Sequence, residues 1–182
     1  MSSTAIERTT IAPGVDPTVP ARVIEEGYGP GAWHGPDLKA ALAELSPHAA
    51  FWRPGAGRHN IAEIALHHAA CVRSVVGRLT GKESEPFVLE GEDWFEASDE
   101  RTLGWSAIQA VVEEQQQRLR AVVSDIGAGR LRSPLNERER FDLVLGVTCH
   151  AVYHAGQVQL IKVLAATPCH SPGIGCPAAS TR

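Results

Sequence analysis

Lysine is scarce in this chain, three residues in 182, and arginine does not tip the balance: 17 basic against 21 acidic side chains leave a net charge of −4. Nucleic acid is thereby excluded as a general partner, because neutralising phosphates takes a basic surface. Long apolar runs are also missing. No stretch of about 18 apolar residues exists to span a bilayer, so no membrane insertion is expected. The opening MSSTAIERTT lacks the apolar core of a secretory signal, since Glu7 and Arg8 interrupt it early. A cytoplasmic protein is the expectation. Four cysteines, Cys71, Cys149, Cys169 and Cys176, are too few for a disulfide-stapled domain of this length, and reduced thiols follow. Alternating apolar stretches bounded by turns are absent as well, which removes the case for strands.

Helical signals are what remain, and 43% apolar residues supply one domain-sized core. Prolines and glycines cluster at residues 13–36, 54–57, 127–136 and 168–177 and read as punctuation between helices. The first helix opens at Pro36 and Asp37, with Leu38, Ala41, Leu42 and Leu45 on one face; Ser46-Pro47 starts a further short turn. The second runs from an Asn60 cap, with Glu63 as the reciprocal carboxylate, to about Leu79 before Gly81. The third carries Trp105, Ile108, Val112, Gln115, Leu119, Val122 and Ile126 on one stripe. The fourth runs from about Glu137 to Ala166 and is closed by Pro168. A loop of about ten residues between the last two makes them antiparallel neighbours, while the ~22 residues from Lys82 to Leu103 reach back along a ~30 Å helix and let the middle two run parallel. The predicted fold is all-α, an up-down-down-up four-helix bundle over residues 21–166, between a flexible N-terminal segment, 1–20, and a Pro/Gly-rich flexible tail, 167–182.

Eight histidines stand out against the three lysines. His150 and His154 are one turn apart in C-H-A-V-Y-H-A-G-Q, so both imidazoles leave one face and can reach one cation. They lie among Val147 and Ile161, where unpartnered polar groups are costly, and a shared metal satisfies both. The second helix offers Glu63, His67, His68 and Cys71 as sources of a third ligand. Counting 1.5 Å per residue from the lower end of the bundle puts His67 at about 19–20 Å and His150 and His154 at about 19 and 25 Å. A helical wheel favours His68 over His67, because His68 sits mid-stripe and His67 at its margin. Both stay open on the residues alone. Glu63 has its capping role, Gln115 is a polar residue at a core position of similar height, and Gln157 shares the histidine stripe. Cys71 is read as a packing residue, and Cys149 points away from the pair. His34, His48 and His59 read as surface groups, and Cys169, His170 and Cys176 as part of the tail.

The segments N-I-A-E-I-A-L-H-H-A-A and G-V-T-C-H-A-V-Y-H-A-G-Q-V-Q-L resemble the DinB/YfiT-like family of metal-binding proteins. W-H-G-P-D-L-K-A-A-L at Trp33 to Leu42 and W-R-P at Trp52 to Pro54 extend the likeness to about residues 20–166. The resemblance implies a four-helix bundle, often a homodimer, holding one divalent metal, nickel or zinc, on three histidines. By motif these are His67, His150 and His154. His68 falls where the family usually has an apolar residue and becomes, with Glu63, Gln115 and Gln157, a candidate for support around the site. Three neutral imidazoles leave a metal with net charge and open positions, suited to activating water, a carbonyl or a thiol. A metal-dependent hydrolase, or a thiol S-transferase acting on a small molecule, is the first functional expectation. The alternatives are a non-enzymatic metal-binding stress-response protein and a bundle whose histidines bind nothing.

Overall fold

The computed structural model describes residues 18–83 and 86–167, and no strand occurs among them. Its six helices are α1 (Thr18–Gly27), α2 (Leu38–Leu42), α3 (Pro47–Phe51), α4 (Ile61–Thr80), α5 (Trp105–Gly127) and α6 (Glu137–Ala166). The three long ones fall where caps and apolar stripes put them. Asn60 accepts from the Glu63 backbone N–H at 2.8 Å while the Glu63 carboxylate accepts from the Asn60 N–H at 3.4 Å, closing a capping box at the head of α4. Gly81, at φ 67, ends that helix in the left-handed conformation that glycine adopts without strain. Asn136 and Glu139 repeat the box at the head of α6.

The first bundle member differs from expectation. Asp37 does cap a helix, accepting from the N–H groups of Lys39 and Ala40 at 2.7 and 3.2 Å, but α2 stops after five residues as Ala43 turns extended. The long partner is instead α1, within the stretch that its glycines and prolines mark as punctuation. Pro20 sits in its first turn, where a missing N–H breaks no helical bond. α1 opens at Thr18, three residues before the boundary placed at 21.

Two apolar layers fix the directions of the helices. One holds Ile61, Ile64, Leu66, Trp105, Ile108, Ala151 and Val158. The other holds Val72, Val76, Leu79, Leu119, Val123, Val144 and Val147. α4 and α5 both run from the first layer to the second, and α6 runs back. Ile24 lies in the second layer and Tyr28, just past α1, in the first, so α1 rises alongside α6. The bundle is therefore up-down-down-up, with residues 82–104 returning the chain from the foot of α4 to the head of α5. Glycine is required at Gly27, since a Cβ there would lie 2.9 Å from the Ala151 Cβ and 3.0 Å from the Thr148 carbonyl.

Candidate metal centre

His67 faces α6 from the second turn of α4, and His150 and His154 leave the middle of α6 one turn apart. Their Nε2 atoms converge: His150 Nε2 lies 3.0 Å from that of His67 and 3.0 Å from that of His154. One ligand nitrogen from each ring lies within 4.8 Å of the other two. His67 and His154 are buried and His150 is half-buried.

Hydrogen bonds on the far side of two rings decide what their inner nitrogens offer. His67 Nδ1 donates to the Asp93 carbonyl at 2.7 Å, with the Asp93 carboxylate also at 3.1 Å. His154 Nδ1 donates to Gln157 Oε1 at 2.6 Å, and Gln157 in turn donates to the Tyr153 hydroxyl at 3.0 Å. A neutral imidazole protonated at Nδ1 carries a lone pair at Nε2. Both rings thus aim lone pairs at one point. Burial, offset in part by the bond to Gln157, pulls His154 down to about 4, and burial together with the neighbouring His67 also lowers His150. At neutral pH these two rings are uncharged. Zinc at 2.0–2.1 Å from three tetrahedral ligands spaces their nitrogens by about 3.3 Å, so the observed 3.0 Å spacings need to open only slightly. The donor set fits a divalent cation.

His68 does not reach the convergence point; it lies behind His150. It is fully buried, with Nδ1 3.2 Å from His150 Nδ1 and Nε2 2.7 Å from the Gln116 amide nitrogen. Glu63 is turned away and fully engaged, accepting from Arg53, from His59 at 3.1 Å and from the Ala97 N–H at 3.3 Å besides its cap bond. Burial works to raise its pKa, but the bonds from Arg53, His59 and Ala97 more than offset this and hold the carboxyl below the usual range. Gln115 is buried on α5 with Oε1 unpartnered among the described residues, and none of its bonds reaches a histidine; the amide that meets one is Gln116. Cys71 Sγ lies 3.9 Å from His67 Nε2, its thiol pushed up to about 11 by burial and by Asp93. His67, Cys71 and Asp93 form a second close group.

The crossover supplies what sequence reading missed. Besides the Asp93 carbonyl, Trp94 stacks against His67 at 4.1 Å and against His59 at 3.6 Å, both nearly parallel. His59 is exposed, as expected, yet it joins the site's wall through Trp94 and Glu63. Trp94, set among the acidic residues Glu90, Glu92, Asp93 and Glu96, was the one available signal. Next to this wall, Arg53, Arg58, His59, Glu63, Trp94 and Ser98 help line a cavity of about 480 Å³. His34 bonds the Glu26 carbonyl at 2.8 Å and His48 is exposed. Cys169, His170 and Cys176 lie outside the described residues.

Residues 32–158 match a family model described as the DinB superfamily, a span that includes the three histidines and the wall beside them. No curated protein and no solved structure matches the chain.

Proposed function

The chain belongs to the DinB superfamily, and from that premise we propose that it is a metal-dependent enzyme, binding one divalent ion, nickel or zinc, on His67, His150 and His154. The observation that carries this reading is the pair of Nδ1–H donors fixed by Asp93 and Gln157, which leaves two Nε2 lone pairs facing His150. Neutral imidazoles suit either metal. Three protein ligands leave coordination positions free, and a divalent ion so held supplies a Lewis acid for hydrolysis of a small molecule or for activating a low-molecular-weight thiol. The chain's own part is to orient the rings, and to keep Trp94 and the crossover over His67 so that the site stays shielded on that side. A cytoplasmic setting is proposed on the low cysteine count of the sequence. Among the described residues no helix is long and apolar enough to cross a membrane.

Metal analysis of untagged, purified protein tests this directly, with about one divalent ion per chain expected. A content far below one overturns the reading. A screen of ester, amide and thiol-acceptor substrates then separates the enzyme from a metal-binding protein without turnover.

A second copy of the chain is the proposed macromolecular partner. Leu145, Cys149, Tyr153, Gly156, Leu160, Val163 and Leu164 form an exposed stripe on α6 with no charge on it, about 30 Å long at 1.5 Å per residue. Gly156, near its centre, has open space where a Cβ would sit, which lets two antiparallel copies of the stripe approach closely about a two-fold axis. Leu160→Glu is expected to convert a dimer to a monomer by sedimentation; a monomeric unaltered chain would remove this proposal.

A further inference from the structure

Behind His150, the direction of one hydrogen-bond chain decides whether the third nitrogen can bind a cation at all. His68 is buried on every side and neither ring nitrogen meets a carboxylate, so an unpaired charge there would be costly and the ring carries a single N–H. That hydrogen points either at His150 Nδ1, 3.2 Å away, or at Gln116, 2.7 Å away. With the Gln116 amide nitrogen toward the ring, Gln116 donates to His68 Nε2 and His68 donates from Nδ1 to His150 Nδ1. The one proton of His150 then sits on Nε2, where His67 and His154 accept it. Every ring atom in this chain is satisfied. Gln116 Oε1, however, is left buried without a hydrogen bond, and His150 has no lone pair to give a cation.

Turning the Gln116 amide by half a revolution exchanges its oxygen and nitrogen, which are nearly the same in shape. His68 then donates from Nε2 to Gln116 Oε1 and accepts at Nδ1 from His150. The orphaned oxygen gains a partner, and His150 Nε2 becomes a lone pair aligned with those of His67 and His154.

We propose that His68 and Gln116 form a two-state tautomer relay, running inward in the metal-free protein and outward when His150 ligates a metal. The inference rests on the three-histidine reading above. The change balances without net proton uptake. One proton leaves His150 Nε2 for water, the shared proton passes from His68 Nδ1 to His150 Nδ1, and one from water arrives at His68 Nε2. His68 is a positioning residue: it touches no metal, but it gives the Nδ1–H of His150 a buried acceptor that an apolar side chain at 68 would not. Ligand-orienting partners of this kind are worth about 10–100-fold in metal affinity.

Two measurements on the full chain test the relay. In protein labelled with 15N-histidine, the His68 ring signals should report the Nδ1–H tautomer without zinc and the Nε2–H tautomer with it. By chelator competition, His68→Leu should bind zinc about 10–100-fold more weakly than the unaltered chain, and Gln116→Met should weaken binding in the same direction. A folded His68→Leu protein with unchanged zinc affinity overturns the relay, and so does a His68 tautomer that zinc leaves unaltered. If His68→Leu does not fold, the tautomer measurement decides alone. An unaltered chain that takes up no zinc fails at the metal reading itself; zinc uptake with a static His68 fails at the relay only.

Discussion

His154→Ala should lose zinc affinity by more than the roughly 100-fold upper range typical of changes that only support a ligand, with helical content unchanged. The ring contributes one of three converging Nε2 atoms, and its removal leaves two ligands, fewer than the three typical of an open zinc site. The same change strands Gln157 Oε1, which now accepts from His154 Nδ1 at 2.6 Å, although Gln157 keeps its bond to Tyr153 and can turn toward solvent. The scaffold should survive, because Val158 and Ile161 hold α6 in the core independently of the ring. His48→Ala, at an exposed position of α3, serves as the control and should bind zinc as the unaltered chain does. Chelator competition and far-ultraviolet circular dichroism read both quantities. Zinc affinity within threefold of the unaltered chain would remove His154 from the ligand set.

Why so much of this was legible follows from where the information lies. Local caps and 3.6-residue stripes specify α4, α5 and α6, because Asn60 with Glu63, Gly81, and the apolar run from Trp105 to Ile126 each act within a turn or two of their own position. Parallel α4 and α5 could be argued from loop length alone. α1 was hidden because its register is decided by tertiary contact: Gly27 against Ala151 and Thr148, and Arg120 donating to the Tyr28 carbonyl, are not local signals. The same distinction runs through the site. His150 and His154 share a helix face by spacing, and axial rise brings His67 to their level. The wheel favoured His68, and it correctly identified the more deeply buried ring; the marginal position of His67 is what turns it to the crossover and α6. The crossover itself has no periodicity, so beyond the presence of a tryptophan at 94 nothing in it pointed to His67, and the Asp93 carbonyl gave no signal at all. Gln116 was missed in favour of its neighbour because Gln115 sits squarely on the stripe, whereas the amide that meets His68 lies one residue off it.

Glu63→Ala should destabilise the metal-free fold by about 2–4 kcal/mol, read by urea unfolding. Removing one partner of a buried ion pair costs about 3–5 kcal/mol, and the lower range applies because the Arg53 side chain is 34% exposed against 4% for Glu63. Three elements meet at this carboxylate: the α3–α4 loop through Arg53 and His59, the head of α4 through Asn60, and the crossover through Ala97. Asn60 also donates to the Ala97 carbonyl at 2.7 Å, so the crossover keeps one tether when Glu63 is removed, and zinc affinity should fall less than in His154→Ala. The effect has a pH signature. The folded carboxyl titrates below its ordinary value of 4.5, so its stabilisation is fully present above that value and is lost as pH falls through the depressed folded one. The gap in stability between the unaltered chain and Glu63→Ala should therefore be constant from neutral pH to about 5 and shrink below 4. Glu63→Gln keeps the shape and part of the hydrogen bonding and should lose less than Glu63→Ala at pH 7. A loss under about 1 kcal/mol in Glu63→Ala, the size of an ordinary cap alone, would show that the Arg53 and Ala97 bonds contribute nothing and that the wall beside the histidines is held by packing around Trp94 instead.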